Sequence, residues 1–444
     1  MALVTLRSLL RERADGHDEV EIDGATIADV LARLERSYPE LAGWVLDERG
    51  EIRRHVSIFL NDRRAGLEEP VTAQDTVHII PAISGGADAE LLVGTRKGLF
   101  VLRGPRGGPM EAAGRKFEGQ VVEYTLRDPR TGTYYAAVTH GQYGPHLFYA
   151  DDPFGDWREA EGPSFPDDAG ASVDRIWLVE PGEEDGVLWA GVAPAALFKS
   201  GDGGRTWALN RALWDDPTRP RWQGGGGGLC LHSVCTWPGD PGRLAVGISA
   251  VGMWLSEDGG VSWRRGVKGL EPRYLPDESR ADAFDLCVHD VKRHPLRPET
   301  LYLQFHGGVY RSDDSGETWI DIGTDTGLPS DFGFPLVIDP RDPQRAFVIP
   351  LASDADRVTP EGKVCVYATT DGGQSWTPLG NGLPQADAYL TVLRQAFCDD
   401  GGDPLGLYFG ATSGEVFGSA DGGRTWTTVA ERLAPVTSVR ASPA

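Results

Sequence analysis

The amino-acid sequence predicts two regions of different fold class: an α+β domain of β-grasp type, then an all-β seven-bladed propeller. Three observations carry this expectation. Residues 1–86 read as two strands, a helix and two more strands. Beyond residue 200 one turn motif, an Asp with following glycine and tryptophan, recurs five times. With 58 glycines and 31 prolines in 444 residues, the chain has the turn content an all-β protein needs.

In the first region, LVTLRSLL and DEVEID alternate as strands. Ala25-Thr26 opens the amphipathic helix IADVLARLERSY, with Ile27, Val30, Leu31 and Leu34 at helical spacing and Pro39 just past its end. VSIFLND and DTVHIIP follow as strands separated by turn residues. One helix on a small mixed sheet is a β-grasp, ubiquitin-like pattern. The domain boundaries expected are 1–86 for this unit, 87–90 for a short linker and 91–444 for the propeller.

The order of GATIADVLARLERSYPEL, HVSIFLNDRRAGLEEPVTAQDTVHIIPAISGG and the closing Gly85-Gly86 resembles the sulfur-carrier family of molybdopterin-synthase small subunits and thiamine-pathway carriers (MoaD/ThiS-like). The resemblance implies a tail whose final glycine carboxylate is adenylated by a separate, ATP-dependent E1-like activating enzyme and becomes a thiocarboxylate for a sulfur-accepting protein. Glycines suit such a tail because they leave it slim enough to thread an active site. Here Gly86 is followed by Ala87 and has no free carboxylate, so carrier chemistry requires a processing protease. A domain linker is the other reading of the pair. Residues 1–86 hold ten arginines and no lysine, so the unit cannot build isopeptide chains on itself, and sulfur transfer is the simpler expectation.

The five repeated segments centre on Asp202, Asp258, Asp314, Asp371 and Asp421, spaced by 56, 56, 57 and 50 residues. Asp152-Pro-Phe-Gly-Asp-Trp157 is a decayed sixth copy, and LLVGTRKGLFVL supplies the strands of a seventh unit. The pattern S-x-D-x-G-x-T-W resembles the Asp-box (BNR repeat) of sialidase-like and sortilin-like propellers. Its aspartate reads as a structural turn former, glycine as the residue that takes positive φ, and tryptophan as packing between blades. The terminal VTSVRA is a spare strand, expected to complete the first blade and leave no open edge.

Registering the inner strands on a shared proline places Glu123, Arg175, His232, His289, Phe334 and Arg394 around one axial funnel. His140 and His306 fall in middle-strand turns on the same face. Such a ring could hold a metal through neutral imidazoles or supply acid and base groups near neutral pH. It could equally line a water-filled channel, which is the reading favoured, and no metal or intrinsic cofactor is assigned. The run Gly224 to Gly228 reads as a mobile loop or as backbone that approaches a ligand. A sialidase-like glycoside hydrolase, or another propeller enzyme with a His/Arg-lined axial pocket, is the alternative function; the hydrolase needs an arginine triad, and Arg175 and Arg394 fall short of one. A carrier or interaction protein is therefore favoured over an enzyme.

The formal net charge of −23 excludes nucleic acid and anionic membranes as partners through general electrostatics. No signal peptide or membrane span is read from the sequence, and a cytoplasmic location is expected. Cys230, Cys235, Cys287, Cys365 and Cys398 have no zinc-like spacing and read as reduced, mostly buried residues.

Overall fold

The computed structural model describes residues 2–6, 9–41, 43–46, 49–50, 52, 56–61, 63–81, 88–280 and 283–442. Contacts divide the chain into two compact units, Met1–Ala87 and Asp88–Ala444.

The first unit is a β-grasp. Its mixed sheet has the order Glu19–Ile22, Ala2–Leu6, Thr76–Pro81, Val56–Leu60, Arg63–Arg64. Ala2–Leu6 and Thr76–Pro81 run parallel, and the remaining pairings are antiparallel. The helix Ile27–Ser37 starts where a reciprocal cap forms: Thr26 Oγ1 accepts from the Asp29 N–H at 3.2 Å, and Asp29 accepts from the Ala25 N–H at 3.2 Å. Its Ile27, Val30, Leu31 and Leu34 are buried in one cluster with Val4, Leu6, Val77 and Ile79.

One local expectation fails. The strand read over LVTLRSLL stops at Leu6, and a short helix occupies Leu9–Glu12. The Ala14 N–H donates to Arg11 O at 3.1 Å, so the chain keeps turning and buries Leu10 and Ala14 together in the core. Gly85 and Gly86 lie outside the described residues.

The second unit is all-β and propeller-like. Five four-stranded antiparallel sheets follow one another, accompanied by one eight-stranded sheet. Their innermost strands are Val121–Arg127, Arg175–Pro181, Cys230–Trp237, Val288–His294, Gly333–Ile338 and Val392–Asp399, each packed against the next. The last strand, Val436–Ser442, packs against both Val392–Asp399 and Val121–Arg127 and so closes the circuit. It pairs antiparallel with Asp88–Thr95, the first strand of this unit, as the spare C-terminal strand predicts. That first strand already begins at Asp88, inside the stretch 87–90 read as linker.

The repeated aspartates build the outer turns. Asp314 accepts from the Ser312 hydroxyl at 2.8 Å and the Thr318 N–H at 2.9 Å, while Ser312 Oγ accepts from the Gly316 N–H at 2.9 Å. The same bonds recur at Asp202, Asp258, Asp371 and Asp421. Gly316 has φ +94°, a value that strains residues bearing a Cβ. Trp319 and Trp376 reach back to donate to Gly266 O at 2.9 Å and Ile322 O at 2.7 Å, linking neighbouring sheets. The decayed copy keeps part of the motif, with Asp152 accepting from the Phe154 N–H at 3.0 Å.

Four of the five cysteines are buried, Cys365 is half-buried, and none is in a disulfide. Among the described residues no helix is long and apolar enough to cross a membrane. Asp314→Ala removes several charge-assisted bonds at once and is expected to lower the thermal midpoint by about 2–4 °C. Glu278→Ala, an exposed carboxylate outside these turns, serves as the control and should leave the midpoint unchanged in scanning calorimetry.

Candidate functional site: the cavity among the inner strands

The inner strands share an irregularity that the sequence pattern does not reveal. Their pairing slips at Glu123, Trp177, His232 and His289, at Phe334-Pro335, over residues 393–396, and again at Thr437 in the closing strand. A bulge leaves one residue outside the ladder and re-aims its side chain. Glu123, Trp177, His289, Phe334, Arg394 and Thr437 consequently line one cavity of about 750 Å³.

Turns from the middle strands add Arg96, Thr139, Ser249, His306 and Arg357 to the wall. Gly224 to Gly227 also line it. A Cβ on Gly226 would lie 3.2 Å from an Arg357 amino group, and one on Gly225 would lie 3.3 Å from Cys287 Sγ. Side chains there would fill the space that the glycines leave.

The charge of the wall opposes that of the chain as a whole. Among the described residues, Arg96, Arg175, Arg357 and Arg394 face the cavity with two carboxylates, Glu123 and Asp285. Arg175 pairs with Glu123 at 3.1 Å and lies over the Trp177 ring at 4.9 Å. The Arg394 guanidinium stands 5.2 Å from the Phe334 ring centre and 5.5 Å from that of Trp177. Aromatic faces hold these cations in place without neutralising them. The surplus positive charge suits an anionic ligand.

Of the residues expected at the funnel, the structure brings Glu123, Arg175, His289, His306, Phe334 and Arg394 together. It does not bring His140 or His232 with them. His140 stacks on Tyr143 at 4.8 Å, and its Nδ1 accepts from the Gln142 N–H at 3.1 Å, so it serves its own turn. His232 is buried and donates from Nε2 to Val288 O at 2.8 Å, on the next inner strand. In the strand Arg175–Pro181 the bulged residue is Trp177, two positions beyond Arg175. Arg175 lines the cavity as well, so Trp177 joins it on the wall.

Residues that sequence reasoning did not single out include Trp177, Tyr274, Cys287 and Arg357. Cys287 was legible as the second residue before His289, on the same side of an extended chain. Arg357 sits in LASDADRVTPEGK, a loop between two middle strands.

Burial first, and then the Arg394 charge, hold His232 and His289 well below 6.5. Burial likewise lowers His306, with the Asp354 carboxylate opposing it. A histidine kept neutral in the folded state adds stability above its unfolded pKa and loses it as pH falls below about 6.5, because unfolding then gains a proton. Each such group contributes up to about 1.4 kcal/mol per pH unit below that point. His232→Gln should therefore flatten the fall of the thermal midpoint between pH 6.5 and pH 5, measured against the wild type over the same range.

Comparison with known proteins divides along the same boundary. Residues 4–86 match the model of the ThiS family. Small archaeal modifier protein 1 of Haloferax volcanii is 35% identical over 68 residues, which are 78% of that protein and 15% of this chain. An oligoxyloglucan-reducing end-specific xyloglucanase of Emericella nidulans is 26% identical over 230 residues, which are 44% of this chain. The chain spans 26% of that relative's length. An ancestral GH74 enzyme of known structure covers 79% of this chain, and the chain covers 40% of it, at 15% identity and a TM-score of 0.46. Through residues 4–86, the chain belongs to the ThiS family.

Proposed function

We propose that the protein is a ubiquitin-like sulfur carrier joined to a seven-bladed Asp-box propeller that acts as its scaffold, with Gly86 the carrier's working end after cleavage. The observation that carries this reading is the end of the ThiS match at residue 86, the second glycine of the pair. Counting the eight-stranded sheet as two blades of four joined by the closing strand gives seven with the five separate sheets. The acidic chain and its free cysteines favour the cytoplasm as its location.

As translated, Gly86 is an amide and cannot be adenylated. Hydrolysis of the Gly86–Ala87 bond by a protease consumes one water and frees the carboxylate and the Ala87 amine. An E1-like enzyme then joins that carboxylate to AMP from ATP, releasing pyrophosphate. A sulfur donor displaces AMP to leave the thiocarboxylate, which a sulfur-accepting partner consumes.

A glycoside hydrolase is the second reading, favoured by the 26% identity to the xyloglucanase. Such an enzyme needs two carboxyl groups flanking the scissile bond. Glu123 and Asp285 are the carboxylates that line the cavity. Release of reducing sugar from xyloglucan oligosaccharides, lost in Glu123→Gln or Asp285→Asn, would support it; no release removes it.

Intact-protein mass spectrometry on the chain from its native host tests the carrier reading. The expected result is a fragment ending at Gly86, with a companion heavier by the exchange of oxygen for sulfur. Only full-length chain, under conditions that demand sulfur transfer, would overturn it.

A further inference from the structure

We propose that Cys287, His289 and His306 form a mononuclear metal site of zinc type, with its open coordination position facing the cavity. This goes beyond the tail chemistry and does not depend on it.

One ligand atom from each of the three residues lies within 4.8 Å of the other two. Ligand atoms on a tetrahedral zinc stand about 3.5 Å apart, given metal bonds of about 2.0–2.3 Å. Side-chain rotation on the order of 1 Å closes the difference. The backbone already holds the residues in place. Cys287 immediately precedes the inner strand Val288–His294, whose second residue is His289, and the His306 N–H donates to Cys287 O at 3.0 Å. The Tyr274 hydroxyl accepts from the Cys287 N–H at 2.9 Å and donates to Asp285 O at 2.6 Å.

Each imidazole has one nitrogen committed and one left over. His289 Nδ1 donates to Gly333 O at 2.6 Å, which leaves the lone pair on Nε2. His306 Nε2 faces an Asp354 carboxylate oxygen at 3.3 Å, which leaves Nδ1. A ring nitrogen held by a carbonyl or a carboxylate, with its opposite nitrogen unused, is the outer arrangement that metal-binding histidines need. Neither leftover nitrogen has a hydrogen-bond partner among the described residues. Phe332 packs against both rings, at 5.3 and 5.1 Å, and keeps water from that side.

Space and charge agree with this. The glycine run passes over the thiol so closely that a Cβ on Gly225 would stand 3.3 Å from Sγ. On binding, the Cys287 thiol loses its proton to solvent, so one proton is released and the thiolate offsets half of the dication's charge. Asp354 offsets part of the rest. Arg357 and Arg394, on the cavity wall, can then attract an anionic group to the open position.

The test uses the full-length chain stripped with a chelator and titrated with Co²⁺ alone. One equivalent should bind with release of one proton, giving a thiolate-to-cobalt charge-transfer band and the intense visible bands of a four-coordinate ion. Cys287→Ser should abolish the charge-transfer band, and His289→Ala and His306→Ala should each weaken binding by more than about tenfold. Cys230→Ser, which alters a neighbouring buried thiol, should keep the band, and circular dichroism identifies any variant that has not folded. Binding without the band, no stoichiometric binding, or a band that survives in folded Cys287→Ser would overturn the proposal.

Discussion

The propeller-like unit depends on a single non-local pairing, that of Val436–Ser442 with Asp88–Thr95. These strands are separated by almost the whole of the unit, yet Val439 lies opposite Val93 and Arg440 opposite Leu92. Without that pairing, Asp88–Thr95 would present an unpaired row of N–H and C=O groups, and the circuit of inner strands would be open. Closure also fixes side chains at the centre. Arg440, on the closing strand, donates to Gln395 O at 2.9 Å, and Gln395 in turn donates to His232 O at 3.2 Å.

Closing the circuit brings the strand starts into a ring, and the bulges decide what that ring presents. A regular inner strand would alternate its side chains between the two neighbouring sheets. The unpaired residue at a bulge is free of this alternation, so Glu123, Trp177, His289 and Phe334 turn toward the cavity, while His232 at its own bulge turns to Val288 O. The turns opposite are rigid for a different reason. Each aspartate collects hydroxyl and backbone donors, and the Thr206 hydroxyl above all holds Asp202 at about 2, so the turn stays ionised and bonded near neutral pH. One end of the unit is thereby pinned by repeated local chemistry while the other varies from sheet to sheet.

The two units differ in how their chemistry is made available. In the proposed carrier reading the tail works through slimness and reach, and its reactive group exists only once the peptide bond after Gly86 is broken. The cavity works through pre-placed groups: arginines steadied by aromatic rings, a thiol and two imidazoles with unused lone pairs, and a glycine strand that leaves room above them. The chain is strongly acidic, yet this wall carries four arginines against two carboxylates. That local reversal of charge concerns what the cavity attracts, because a net charge of one sign does not by itself build a pocket of the other.

Much of the architecture is legible because its causes are local. The helix Ile27–Ser37 follows from the spacing of four apolar residues and the Thr26 cap, and the five aspartate turns follow from a motif whose donors and acceptor lie within a few residues. The short helix Leu9–Glu12 was misread because an apolar run of that length satisfies either period. By itself the sequence determined the β-grasp unit, the repeated sheets and the strand that closes them. Only the tertiary structure decided which residues meet at the cavity. It put Trp177 beside Arg175 on the wall, turned His232 into a partner of Val288 O, kept His140 in its own turn, and set Cys287 beside His289 and His306. Facing in a bulged strand depends on which ladder bonds its neighbour forms, and those neighbours are brought alongside only by the folding of the whole unit.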